Sequence, residues 1–346
     1  MLRFLTAGES HGKFLVAILE GMPAGLRLDI KEINEELRRR QQGVGRGARM
    51  RLERDKVFAI TGLAKGKTIG APIGIIIKNC DSSIDRLPLV LVPRPGHADL
   101  AGVLKYGFND ARCVLERASA RETAARVAVG AVCKILLEQF KIKIKSRILS
   151  IGGLRGISEI KKLIAAAKRN KDTLGGIFQV QVKNCLCGLG SYVHYERRLD
   201  GILAGAIMSI PAIKAVEIGM GLACSEKFGS EVQDVIHFAN GKFLRLTNNA
   251  GGLEGGVTNG QDLVIRAAMK PISTLGDPLD SVNIRTKKKA KASVQRYDTC
   301  AVEAASVIAE NMVAFCLSQA FLEKFGNDNM EDIKVSLAHY RKRTRS

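Results

Sequence analysis

Arg94-Pro95-Gly96-His97-Ala98-Asp99, then Asp110-Ala111-Arg112, then Arg117-Ala118-Ser119-Ala120-Arg121-Glu122-Thr123-Ala124-Ala125-Arg126 is the stretch on which the fold and chemistry of this chain turn. A histidine follows a Pro-Gly turn, and arginines crowd the start of a long helix. Ser119 and Glu122 have the spacing of a capping box, and Val127, Val129, Ala131, Val132, Ile135 and Leu136 supply the apolar run to be capped. The pattern predicts a helix N-terminus, with its unpaired N–H groups and positive dipole end, among Arg112, Arg117 and Arg121. Such a place suits an anion.

Upstream, strands are expected at Arg3–Ala7 and Phe14–Glu20, joined by Gly8-Glu9-Ser10-His11-Gly12, whose glycines let the backbone hold Ser10 and His11 at a tight tip. His11 and His97 are then two loop histidines in similar glycine settings, candidates for proton transfer. Asp29 is expected to cap a helix with Ile30, Ile33 and Leu37 on one face. That helix ends in Arg38-Arg39-Arg40, which suits the dipole, and runs into Gly43-Val44-Gly45-Arg46-Gly47-Ala48-Arg49. A loop bearing Arg46 and Arg49 can fold over a ligand and bring bidentate donors to carboxylate or phosphate. The glycine spacing is not a dinucleotide fingerprint, because it follows a helix where a Rossmann unit needs a strand before it. Further strands are expected at 56–61 and 74–78, the long helix should end near Phe140, and 141–151 alternates like a half-exposed strand. A basic amphipathic helix over 158–169 has the pattern of a solvated face.

The second half repeats this grammar. Strands at Gly176–Lys183 and 190–195 lead to a helix at 199–209 and on through Pro211 and Ala212 to Gly219. The glycine pairs of Ala250-Gly251-Gly252-Leu253-Glu254-Gly255-Gly256 precede a strand, Leu263–Met269, that ends in Lys270-Pro271-Ile272-Ser273-Thr274. Backbone N–H groups, a lysine charge and two hydroxyls suit a phosphate monoester. Lys287-Lys288-Lys289-Ala290-Lys291 is expected to be an exposed turn. Arg296-Tyr297-Asp298 precedes a buried helix, Val302–Phe325, where Asp298 has the position of a cap. The whole suggests a layered α/β arrangement, in one domain over 1–346 or in two, with related halves at roughly 1–150 and 176–325 and a C-terminal helix over 328–343.

Composition narrows the function. The formal charge of +20 calls for a negatively charged partner. An RNA-binding protein is the alternative from another class, but RNA binders interleave aromatics with their basic residues, and here the arginines are flanked by Gly, Ala, Ser and His. A flavin-dependent oxidoreductase is a third possibility, and it would need a hydride-donor site for which no Rossmann unit is in sight. The eight cysteines form no CxxC pair, which points to reduced, packed thiols and no metal. The N-terminus leaves no room for a signal peptide, and no apolar run approaches the ~20 residues of a membrane span, so a cytoplasmic protein is expected.

In this order, Gly8-Glu9-Ser10-His11-Gly12, Arg38-Arg39-Arg40 with Gly45-Arg46-Gly47, Arg94 to Asp99, Arg117 to Ala125, Thr247 to Gly260, Lys270 to Thr274 and Arg296 to Asp298 resemble the chorismate synthase family across nearly the whole chain. The resemblance implies a β-α-β sandwich, a homotetramer, and loss of phosphate and a ring proton from 5-enolpyruvylshikimate 3-phosphate to give chorismate, the last step of the shikimate pathway. It also implies a requirement for reduced FMN with no net redox change; since no Rossmann unit is in sight, the flavin is expected from an external reductase, with NADPH serving only in its reduction.

Position by position, the resemblance implies substrate contacts from Ser10, Arg40, Arg46, Arg49, Arg94 and Arg121, with Arg40 and Arg46 also where some family members place a nicotinamide nucleotide. It implies flavin contacts from Arg117, Ala118, Ser119, Pro211, Ala212, Gly255, Lys270, Pro271, Ile272, Ser273, Thr274 and Arg296. His11 would act on the departing phosphate, His97 on the charge state of the flavin, and Asp298 on the ring proton near flavin N5. Ala118, Pro211, Ala215 and Tyr297 depart from the residues usual in the family.

Overall fold

The structure, a computed structural model, describes residues 1–47, 53–239 and 241–344. Two four-stranded antiparallel sheets enclose a layer of helices. The first sheet is built from β1 (Arg3–Ala7), β2 (Phe14–Glu20), β3 (Val57–Ala59) and β4 (Ile73–Lys78) in the order β1-β2-β4-β3. The second is built from β5 (Lys143–Ile151), β6 (Gly176–Lys183), β7 (Ile213–Ile218) and β8 (Leu263–Met269) in the order β5-β6-β8-β7. Counted along each half, the order is the same. Each half also follows its fourth strand with a long helix.

Those helices are α4 (Thr123–Glu138) and α7 (Val302–Phe325), and they pack on each other at the centre. α4 lies on β2 and β4, while α7 lies on β5 and β6. α1 (Ile30–Gln41) and α6 (Leu199–Met208) complete the layer, with α2 (Asp99–Tyr106), α3 (Arg112–Ala118), α5 (Ile157–Arg169) and α8 (Met330–Arg343) outside it. Strand alternation explains the layering. In β8 the buried residues Leu263, Ile265, Ala267 and Met269 alternate with partly exposed ones, so one face turns to the helices. α7 is buried nearly all round, as its Ala-, Val- and Ile-rich sequence demands between two layers. By length and composition α7 could also cross a membrane, contrary to the expectation that no run approaches that length, but 89% of its apolar window is buried inside the protein.

Several expectations need correction. β5, assigned by sequence to the first half, hydrogen-bonds along β6 and belongs to the second sheet. The strand expected at 190–195 does not form: Tyr192 and Val193 are exposed, and Ser191 N–H bonds to the carbonyl of Arg197, closing a loop. The lysine-rich turn at 287–291 contributes Lys289–Lys291 to a small ladder with Asp280–Val282. The capping box at Ser119 is only half made. Ser119 Oγ accepts the Arg121 N–H at 3.3 Å, but Glu122 pairs with Arg126 one turn on instead of reaching back. α3 ends immediately before Ser119, so Arg112 opens one helix, Arg117 closes it, and the long helix starts afresh at Thr123.

Candidate active site

Three side-chain clusters collect most of the candidate residues. The first forms where the 8–12 loop meets α3. His11 donates its backbone N–H to Glu116 Oε2 at 2.8 Å, and its Nδ1 lies 3.0 Å from both Glu116 oxygens. Its Nε2 faces Asp81 Oδ2 at 3.9 Å, and Asp81 in turn accepts a 2.8 Å hydrogen bond from Arg296. Glu116 is 1% exposed. Burial works against its charge, but hydrogen bonds from the His11 ring and backbone, with the Arg112 charge, hold its carboxyl below the usual carboxylate range. Asp81 is also lowered, chiefly by the Ser83 hydroxyl and then, against a burial penalty, by His11 and Arg296.

The second cluster gathers arginines from the end of α1 and the start of α4. Arg40 donates to Thr123 Oγ1 and to the carbonyl of Ala120, and lies 3.5 Å from Asp55 Oδ2. Arg121 donates to Asn79 Oδ1 at 2.8 Å and Asp55 Oδ1 at 2.6 Å, with Glu53 Oε2 3.7 Å from its Nη2. Burial draws the Arg40 guanidinium down to about 10, against the pull of Asp55, which leaves it a cation at neutral pH. Arg46 donates to Asp298 Oδ2 at 2.5 Å, and the Gly47 N–H to Asp298 Oδ1 at 2.6 Å. Asp298 is thus a ligand of this loop and not a helix cap; α7 begins after Ala301 without a side-chain cap. Among the described residues, Arg46 Nε and Arg121 Nη2 are buried with no hydrogen-bond acceptor. Unsatisfied donors beside paired carboxylates suit a site that receives an anion.

The segment just after β4 joins these two clusters. Asn79 accepts from Arg121 and donates to the carbonyls of Glu9 and Gly12, while Cys80 N–H bonds to Glu53. Two residues on, Asp81 reaches His11 and Arg296.

The third cluster spans the halves. Arg94 donates to Asp99 through Nε at 2.8 Å and Nη2 at 3.0 Å, and to Thr274 Oγ1 at 2.7 Å. His97 Nδ1 is 2.5 Å from Asp99 Oδ1. Burial opposes the charge of Asp99, but His97 and Arg94 hold its carboxyl far below the usual range, so Nδ1 carries the proton of that bond. Gly96 has φ +75°, which only glycine adopts freely, and this turns its carbonyl to accept from Lys270 Nζ at 2.6 Å and Ser273 Oγ at 2.8 Å. Lys270 N–H bonds to the carbonyl of Ala212, itself at φ +67°, beside Pro211. The Ile272 carbonyl accepts from Thr173, and Pro271 stands between these contacts.

Other candidates lie apart. Arg117 donates to the carbonyls of Gly8 and Thr6, bracing the loop that carries Ser10 and His11, with Ala118 and Ser119 half-buried behind it. Gly255 sits in an exposed hairpin turn, and the adjacent Gly256 carbonyl accepts from Leu199 N–H. Arg49 lies outside the described residues. Sequence reasoning missed Glu116, Asp55, Asp81 and Asn79 altogether, and assigned Asp99 no role. Glu116 stands just before Arg117, and as the one carboxylate on a short helix that also carries Arg112 and Arg117 it was the available signal.

An α-helical layer between two antiparallel sheets, carrying buried arginines beside two carboxylate-held histidines, has the makings of an enzyme site for a small molecule. The chorismate synthase family's sequence profile matches residues 2–322. The chain is 50% identical over 343 residues to the chorismate synthase of Caldanaerobacter subterraneus subsp. tengcongensis, covering 98% of both, and 48% identical to that of Aquifex aeolicus, covering 98% of this chain and 97% of the other. A crystal structure of chorismate synthase matches with a TM-score of 0.83 at 41% identity, covering 99% of this chain and 98% of that one. The chain belongs to the chorismate synthase family.

Proposed function

We propose that this enzyme is a carbon–oxygen lyase that converts 5-enolpyruvylshikimate 3-phosphate to chorismate and phosphate by 1,4-elimination, in the last step of the shikimate pathway leading to aromatic amino acids. The allylic C–O bond breaks with its electron pair going to phosphate, a ring proton leaves, and a second ring double bond forms. The observation that carries the reading is the joining of the His11 loop to buried Arg121 through Asn79, and of Arg121 to Arg40 through Asp55, in a chain half identical to a chorismate synthase over nearly its full length. The two carboxylates and the phosphate of the substrate match the open donors of Arg46 and Arg121. Ser10 and Arg49 would add to this set. His11 delivers a proton or hydrogen bond to the departing phosphate, and Asp298, held by Arg46 and Gly47, takes the ring proton.

The cofactor of the reading is reduced FMN. The donor set of the third cluster fits an anionic group with a phosphate: Lys270, Arg94, Ser273 and Thr274 contribute cations and hydroxyls, and the lone carboxylate among them, Asp99, is already engaged by Arg94 and His97. Lys270, Pro271, Ile272, Ser273, Thr274, Pro211, Ala212 and Arg296 would hold it, with Arg117, Ala118, Ser119 and Gly255 as outer contacts and His97 against its charge. Reduced flavin supplies electron density transiently as the C–O bond breaks, with no net redox change. A separate reductase supplies it, NADPH entering only there. Assembly as a homotetramer fits the apolar outer face of the first sheet, where Leu5, Phe14, Ile18 and Phe58 are exposed; a cytoplasmic location without nucleic acid or membrane partners belongs to the same proposal.

The test is turnover of the purified protein on 5-enolpyruvylshikimate 3-phosphate with anaerobically reduced FMN, followed by chorismate formation. A folded protein that made no chorismate under those conditions would sink the proposal.

A further inference from the structure

We propose that Glu116 is a positioning residue that orients His11 and keeps a proton on Nδ1, the protein-facing nitrogen, in both charge states of the ring, so that Nε2 is the nitrogen that gains and gives the transferable proton. The inference rests on the functional reading above for the role of His11, but not for the geometry. Glu116 is almost fully buried, and a buried carboxylate is costly unless its oxygens are engaged. Its cationic neighbour on the same helix, Arg112, is 3.4 Å away, and both Arg112 Nε and Nη2 are turned to the carbonyl of Pro88. The close partners of Glu116 are instead two groups of one residue, the backbone N–H and the ring Nδ1 of His11. With its carboxyl held in the ionised range, Glu116 can only accept, so Nδ1 must be the donor.

The surrounding contacts serve the same end. Ser10 N–H bonds to the backbone carbonyl of Glu116 at 3.0 Å, and the next residue, Arg117, grips the carbonyls of Thr6 and Gly8. Glu116 and Arg117 at the end of α3 therefore clamp the histidine loop, between them reaching Thr6, Gly8, Ser10 and His11. Among the described residues, the charged groups around the ring include Glu116 and Arg112 from α3 and Asp81 from the end of β4, with Arg296 on Asp81. Asp81 lies on the Nε2 side at 3.9 Å.

Glu116→Gln keeps the shape but lets the amide present either an acceptor or a donor to Nδ1. Selective 15N-histidine labelling gives five imidazoles, and the His11→Ala variant identifies the signal of interest. At a pH where that ring is neutral, the full-length protein should show His11 protonated at Nδ1, and Glu116→Gln should shift it to a mixture of tautomers. In turnover, Glu116→Gln should lower kcat by about 10²-fold, the lower range of general acid–base effects, with KM within about twofold. Glu116→Asp should recover at least about tenfold of that. In a His11→Ala background, Glu116→Gln should cost less than about twofold more. An unchanged imidazole spectrum overturns the proposal, and so does an equal loss in both backgrounds, which is what a mere loss of stability would give. The spectrum needs no turnover, so failure of the elimination assay and failure of this proposal are separate outcomes.

Discussion

Asp55 is the buried hinge of charge in the arginine cluster, and its removal should be felt in both stability and ligand response. Its side chain is 0% exposed and lies between Arg121 at 2.6 Å and Arg40 at 3.5 Å, themselves almost fully buried. At an effective dielectric constant of about 20, each ion pair at a charge separation near 4 Å contributes roughly 4 kcal/mol of gross attraction. Asp55→Ala removes both pairs and the carboxylate's own desolvation cost, but leaves two cations facing each other. The net loss expected for breaking a buried pair on one side is about 3–5 kcal/mol. Urea unfolding at fixed protein concentration measures it through the midpoint and slope. The variant should regain part of this loss in saturating substrate or inorganic phosphate, because an anion takes over the role of the lost charge. A loss below about 1 kcal/mol at unchanged slope, or an identical ligand-induced gain in variant and parent, would refute the reasoning.

Gly130 in α4 sits where the two central helices cross, and a Cβ there would lie 2.4 Å from Asn311 Cβ and from its backbone carbonyl oxygen. Gly130→Ala should therefore destabilise by roughly 1–3 kcal/mol despite the ~1 kcal/mol gain in helix propensity, as a thermal melt would show. Glu310, fully buried in α7, accepts from Arg39, Lys134 and Ser146. Burial opposes its charge, but these partners lower its carboxyl from 4.5 to about 2. Because the folded value lies below the unfolded one, its contribution is fully present above about pH 4.5 and is lost as pH falls toward about 2. Its size is on the order of 3 kcal/mol, and Glu310→Gln should flatten the stability profile in that window. His11→Ala and His97→Ala should each lose ~10²-fold or more in turnover rate, and near-normal rates in both would remove them from the chemistry.

The elements were legible because their signals are local. Asp29 caps α1 as its position suggested, accepting from Lys31 N–H, and the alternation in β8 marked its buried face directly. The 190–195 segment misled because its apolar Tyr192 and Val193 are exposed, so their pattern reported no burial. The site was legible as a set of functional residue types and not as pairs. His11 and Arg121 stand out by composition and glycine spacing, but Glu116 is 105 residues from His11, and Asp55 is 66 from Arg121. Those partners meet where the loops of the first sheet pack against the segment from α3 to the start of α4. Asp298 shows the same limit: its position before a helix suggested a cap, whereas a loop 251 residues earlier claims both its oxygens.

The central claim is an elimination that consumes no reducing equivalents while depending on reduced flavin. The most direct measurement is the stoichiometry of phosphate, chorismate and flavin oxidation in one anaerobic reaction with substoichiometric reduced FMN. Phosphate and chorismate should appear one for one over many turnovers per flavin, with the flavin still reduced at the end. Oxidation of one flavin per product, or phosphate released without chorismate, would contradict it.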